Sequence, residues 1–239
     1  MKENEKEKAG IITKASASYS DMFLLRTAIQ LSNPLGGALD KLLSLLGEPY
    51  QQKRLQHFII ELDTRLKRIE ESINIEPSEP LHDLMMQVFN DVIKTRSEEK
   101  RKYFANLITN QVVNDHVWDD AETACRLLAD LTDMHIKILQ EALKAPECNG
   151  GFEGLHIVMF TNYRHEIPKD MTIPPTNIKP KFQELHIAVL NMAGSELIAR
   201  GLLHDEGIGR LNTDNMEMFR ATEMAQWLMD WIAEPKESA

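Results

Sequence analysis

Cysteine is scarce in this 239-residue chain, which has only Cys125 and Cys148. Two isolated thiols make no disulfide framework and no Cys-x-x-Cys metal or redox pair, so both are read as reduced cysteines of a reducing compartment. Positive charge is short as well: 27 Lys and Arg stand against 37 Asp and Glu, a net charge of -10. The deficit is spread along the chain, -4 over residues 1–130 and -6 over 131–239, so no basic half hides behind an acidic one. Such a surface repels phosphate and anionic lipid on average, which disfavours nucleic acid as a partner.

Long apolar runs are missing too. A membrane span needs about 20 apolar residues, whereas the greasiest stretch, Leu35 to Leu46, is interrupted by Asp40, Lys41 and Ser44. No transmembrane segment is expected. The first twenty residues carry charges of both signs and no apolar core, unlike a secretory signal, so a loose tail over 1–20 and a cytoplasmic location are expected.

Chemistry-bearing motifs are equally thin. SNPLGG (Ser32–Gly37) offers a lone Gly36-Gly37 pair where a phosphate cradle would need a spaced glycine series between strand and helix. No Gly-x-Ser-x-Gly occurs, and Ser16, Ser18 and Ser20 fall in the tail. The eight histidines include no His-x3-His or His-Glu-x-x-His; His156 and His165 flank a β-like run, and His204 sits beside Asp205 and Glu206 in a turn. Cys148, in a Pro-Glu-Cys-Asn-Gly-Gly turn, reads as an exposed thiol without a cation to lower its pKa. No catalytic, metal or cofactor-binding residue is assigned, and a non-enzymatic protein without cofactor is expected.

What the chain does have is helical periodicity. Asp21 to Leu31 reads as a short helix, Asn33-Pro34 as a break, and Leu35, Leu39, Leu42, Leu43 and Leu46 as the stripe of the next. After Gly47 and Pro49 comes a long amphipathic helix over 50–74, with Leu55, Phe58, Ile59, Leu62, Leu66, Ile69 and Ile73 on one face. Leu81 to Ile93, Ser97 to Val112 and Ala121 to Leu131 follow as further helices, so residues 21–130 are expected to form a helical domain. Its long helices offer a face for self-association or for a protein partner.

Beyond residue 130 the texture changes. Thr132 caps a helix with Met134, Ile138 and Leu139 inward, and Pro146 ends it. Ile157 to Tyr163 is the one β-like run, followed by the Pro-rich IPKDMTIPPTNIKP. Glu184 to Arg200 is read as a helix stopped by Gly201, Leu202-Leu203 as a first wing strand, and Met218-Phe219 as its return. Ala221-Thr222-Glu223 then caps a terminal helix carrying Met224, Trp227, Leu228 and Trp231. The expectation is a mainly α fold, a helical array plus a winged-helix-like α/β module over 131–234, with 235–239 a tail.

Two basic groupings are weighed. Arg96, Lys100, Arg101 and Lys102, beside Tyr103 and Phe104, form a candidate interaction patch, opposed by Glu98 and Glu99 in the same turn, which favours a solvated helix start. Arg200 and Arg210 would be the DNA contacts if the C-terminal module acts as a transcriptional regulator. A membrane-associating effector using Leu35 to Leu46 is a further alternative.

TRSEEKRKYFANLITNQV (Thr95–Val112), LADLTDMHIKILQ (Leu128–Gln140), ELIARGLL and FRATEMAQWLMDWI carry a likeness over about the C-terminal two thirds. In these segments the chain resembles bacterial abortive-infection proteins of the alpha type and their uncharacterised relatives. The resemblance implies a role in phage defence; it brings no catalytic residues with it, since the matching segments are helices and caps.

Overall fold

The computed structural model describes residues 49–70, 78–114, 117–149, 152–161, 172–207 and 217–235. The segments expected as helices over 21–31 and 35–46, the extension of the long helix to 74, Arg210 and the wing tip lie outside the described residues. The described residues form seven α-helices and a small four-stranded mixed sheet. By their contacts they divide into one unit of Met1–Asp130 with Trp231–Ala239 and another of Leu131–Asp230.

The first unit is built from α1 (Pro49–Glu70), α2 (Glu79–Lys94), α3 (Glu98–Asn114) and α4 (Trp118–Asp130). On α1, Leu55, Phe58, Ile59, Leu62 and Leu66 are buried, a single stripe that packs against α2 and α3. Phe58 meets Phe89 of α2 edge-on, centroids 6.1 Å apart at 81°. α2 starts where Ser78 Oγ accepts the Leu81 N–H (3.3 Å), with Pro80 in its first turn. It stops where Thr95 turns extended and donates its N–H to the Asp91 and Val92 carbonyls. Ser97 then caps α3, its Oγ accepting the Lys100 N–H at 3.0 Å. α4 begins at Trp118, within what reads as a loop, and buries Ala121, Ala124, Cys125 and Leu128.

α3 differs from its neighbours. Every residue from Phe104 to Gln111 is buried, polar ones included, as befits a helix enclosed on all sides. Buried polar side chains require partners, and two find them at the chain's end. Asn106 Nδ2 donates to the Ile232 carbonyl (2.8 Å), and Asn110 Nδ2 to those of Trp231 (2.8 Å) and Ala233 (3.0 Å).

The second unit runs α5 (Asp133–Lys144), β1 (Ile157–Met159), β2 (Thr176–Asn177), a 3-10 turn (Lys179–Phe182), α6 (Ile187–Ala199), β3 (Leu203–Asp205), β4 (Met218–Ala221) and α7 (Glu223–Ile232), whose last residues group with the first unit. The strand order is β2-β1-β4-β3. β1 runs antiparallel to β4, with Val158 opposite Phe219, and β3 is antiparallel to β4, with His204 opposite Arg220. β2 joins β1 in parallel, a strand that the proline-rich stretch conceals.

α6 lies on this sheet through Gly194, where a Cβ would meet Phe160 Cε2 at 3.1 Å and Phe219 Cζ at 3.3 Å. The helix starts at Ile187, later than the expected Glu184, because Phe182 to Leu185 turn tightly and Lys179 Nζ holds the Phe182 and Leu185 carbonyls (3.0 and 2.9 Å). It ends in a Schellman motif: Gly201 at φ +72, Gly201 N–H on Ile198 O (2.8 Å), Leu202 N–H on Leu197 O (2.9 Å). Thr222 caps α7, accepting the Ala225 N–H at 3.2 Å. On α7, Ala225, Leu228 and Trp231 are buried, while Met224 is 43% exposed.

Candidate functional site

The basic run at the start of α3 does not converge on one surface. Lys100 faces inward, one turn before Phe104, and its Nζ donates to the Ala129 carbonyl at 2.6 Å. Arg101 Nη1 reaches back to the carbonyls of Thr95, Arg96 and Ser97 (3.3, 3.2 and 3.2 Å), tying down the α2–α3 connection. Lys102 pairs with Glu99 at 3.1 Å, and that hydrogen bond holds its ammonium above the ordinary lysine range. Arg96 is exposed. Two of the four cations thus serve the main chain and a third is neutralised.

Asp91 of α2 stands near this region. Burial pushes its carboxyl above the ordinary range, against the pull of Lys94 and Lys100.

In the second unit, the outward face of α6 is the surface of greatest interest. Ala188, Val189, Asn191, Met192, Ser195 and Ala199 are exposed, opposite the buried Leu190, Ala193, Gly194 and Leu197. Met192 is 55% exposed and Val189 37%. From Ile187 to Ala199 the helix has no Lys or Arg. Arg200, at its end, donates Nη1 to the Glu196 carbonyl of its own helix (3.2 Å). On the sheet, Arg220 Nε is bound by Glu206 at 2.8 Å. The two proposed DNA contacts are therefore one arginine folded against its helix and one, Arg210, outside the described residues.

His135 is a residue that periodicity did not single out. It is 2% exposed and occupies the third position of α5. Its Nδ1 accepts the Thr132 N–H (3.1 Å), reciprocating the hydroxyl cap that Thr132 gives the helix, and its Nε2 lies 3.0 Å from Glu196 Oε2 on α6. An acceptor at Nδ1 places the ring proton on Nε2, the nitrogen nearer that carboxylate. The signal was present in sequence as a capping box with imidazole where Glu or Gln is customary. Asn106 and Asn110, four apart, share the side of α3 opposite the Phe104, Leu107 and Ile108 stripe, where periodicity alone reads a solvated face.

Neither thiol is exposed. Cys148, read as an exposed thiol, is 2% exposed, because Phe152, Ile157, Met159 and Met218 pack around it; burial raises its pKa. Burial, with the Asp91 and Glu122 charges adding to it, pushes the Cys125 thiol up to about 12. His156 Nδ1 contacts the Ala145 carbonyl at 2.7 Å, and His204 stands 4.0 Å from Glu206. Among the described residues no three His, Cys, Asp or Glu side chains gather where a metal could sit, and no helix is long and apolar enough to cross a membrane. Set beside known proteins, the chain matches no family model, and no curated protein or solved structure matches it.

Proposed function

We propose that the chain is a non-enzymatic interaction or regulatory protein of bacterial phage defence, with a winged-helix-like second unit that contacts protein through the outward face of α6. The element order supports the module: helix, strand, tight turn, helix and two-stranded hairpin, with the first strand beside the last. In this reading the 3-10 turn replaces a middle helix and β2 is an addition. The phage-defence setting rests on the resemblance carried by Thr95–Val112, Leu128–Gln140 and the C-terminal segments.

One observation carries the preference for protein over DNA: α6 presents no cation. Reading a duplex takes Arg, Lys, Asn or Gln at base edges and cations on the phosphates around them, and Asn191 is the one such amide on the exposed face. Exposed Val189 and Met192 among small residues suit an apolar contact instead.

The test titrates a labelled random-sequence duplex with the full chain at low and physiological salt. No binding is expected at either. Binding that weakens with salt and on Arg200→Ala would establish the DNA-regulator alternative. In parallel, a partner captured from bacterial lysate should be lost with Met192→Glu and kept with Lys137→Glu; capture indifferent to Met192 would remove α6 as the contact.

A further inference from the structure

Independently of that reading, His135 stands between two seats for its ring. Buried at the third position of α5, it accepts the Thr132 N–H on Nδ1 at 3.1 Å and so completes the capping box. On the other side its Nε2 is 3.0 Å from Oε2 of Glu196 on α6, a carboxylate whose side chain is 42% exposed. The first seat takes only the neutral ring, because an imidazolium carries a proton on both nitrogens and has no lone pair left for a backbone N–H. The second takes either form and holds the charged one more strongly.

We propose that His135 is a proton-operated clasp on the first turn of α5: neutral, the ring closes the cap; protonated, it gives up the Thr132 N–H, turns out towards Glu196 and water, and lets Thr132–His135 fray. Three effects make the closed state the resting one. Burial disfavours the charged ring, the cap hydrogen bond is made to the neutral form alone, and a cation in the first turn opposes the helix dipole. The surrounding charges do not reverse this. α6, β4 and β1 pack on α5. α6 brings Glu196 and, one turn on, Arg200, whose positive charge offsets part of the attraction. β4 brings Arg220, bound to Glu206, and β1, Ile157–Met159, brings no charge. On α5 itself Asp133 favours the proton, Lys137 opposes it, and Glu141 is tied to Lys181 at 3.4 Å. Glu196 reaches solvent, where water screens an ion pair. The unfolded chain therefore takes the proton first, so the stability that the clasp contributes is present above the ordinary imidazole value of about 6.5 and is lost as pH falls below it.

Urea unfolding of the full chain between about pH 7.5 and about pH 5.5 tests this. Glutamine serves the same position of a capping box without titrating, so His135→Gln is the reference. Relative to it, the wild-type unfolding constant should rise about five- to tenfold over that interval, and Glu196→Gln, which removes the outer seat, should extend the rise to lower pH. Corrected for its intrinsic rate, exchange of the Thr132 amide should lose protection on acidification in the wild type and keep it in His135→Gln. Should His135→Gln not fold, the wild-type ring reports alone: its nitrogen NMR signals, assigned through contacts with Thr132, should show a bare Nδ1 and a protonated Nε2 down to about pH 6. Parallel pH profiles for wild type and His135→Gln overturn the proposal. So do a wild type that gains stability over His135→Gln on acidification, which would make Glu196 the dominant seat, and a ring proton found on Nδ1 at neutral pH.

Discussion

Replacing Gly194 with alanine adds one methyl group where α6 touches the sheet, and the structure sets the scale of the effect. The new Cβ would lie 3.1 Å from Phe160 Cε2 and 3.3 and 3.5 Å from Phe219 Cζ and Cε1. Carbon pairs are at rest near 3.5–4.0 Å, so at least one ring must retreat by a few tenths of an ångström. The two rings are themselves packed together, centroids 4.9 Å apart, and both are buried. Alanine gains about 1 kcal/mol of helix propensity over glycine, while overpacking a close-fitted core costs about 1–3 kcal/mol. The expected net is a loss of about 0–2 kcal/mol, growing to about 3 kcal/mol for Gly194→Val with its branched side chain. Urea unfolding followed by tryptophan fluorescence reads this as a fall in midpoint at unchanged slope. Shortening one ring with Phe160→Leu should make the Gly194→Ala step more favourable than in the wild type, a coupling of about 1 kcal/mol. Gly201→Ala serves as the contrast. A Cβ there meets nothing within 4 Å, so its cost of about 1–2 kcal/mol comes from φ +72 alone, and Phe160→Leu should not relieve it. A Gly194→Ala protein stabilised by the full helix-propensity gain, with no coupling to Phe160, would refute the close-contact argument.

Asn110→Leu should destabilise the first unit by about 1–3 kcal/mol, since it strips the donor from buried carbonyls at nearly constant shape, and it should speed exchange or proteolysis of residues 231–235 in particular. For Cys125, the ordinary thiol value of 9.0 rises in the fold to about 12. The unfolded chain therefore loses its proton first, and stability falls as pH climbs from about 9 towards 12 at up to roughly 1.4 kcal/mol per pH unit; the difference from Cys125→Ala isolates that slope, and neither thiol should react with a disulfide reagent near pH 8 before unfolding. Asp91 has a folded pKa raised by burial, so its charge opposes the fold above the unfolded carboxyl range. Asp91→Asn should accordingly gain stability relative to the wild type at neutral pH and lose that advantage near pH 3, in denaturant midpoints measured at both.

The helices of the first unit were legible because their apolar steps are unambiguous: Leu81, Leu84, Met85, Val88, Val92 and Ile93 can share only one side of a helix, and all are buried. Thr132 was legible as a cap for a local reason, a hydroxyl just before a periodic run. Features that depend on distant chain were hidden. β2 is two residues long and exists only because Val158 and Met159 offer an edge to pair with. The glycine-rich turn around Cys148 reads as surface until Phe152 and Met218 close over it. The start of α6 moved because an amine six residues before Leu185 takes its carbonyl. Lys100 is the instructive case among the candidate site residues. Taken as one of a run of charges it belongs to a solvated patch, yet counted four back from Phe104 it belongs to the inward face, and the second count is the one the fold obeys. Met224 is the reverse, an apolar residue in the exposed part of α7's first turn, where hydrophobic character alone is no guide to burial.

The seat on α3 links two positions far apart in sequence. The last four carbonyls of a helix have no intrahelical N–H to take them up, and that of Trp231 stands in the last turn of a helix that ends at Ile232. Asn110 delivers the absent donor from another helix at 2.8 Å. Asn110 is thus a C-terminal cap supplied from far away in sequence, so the closing turn of this chain is finished by a side chain of α3 and not by the residues that follow it.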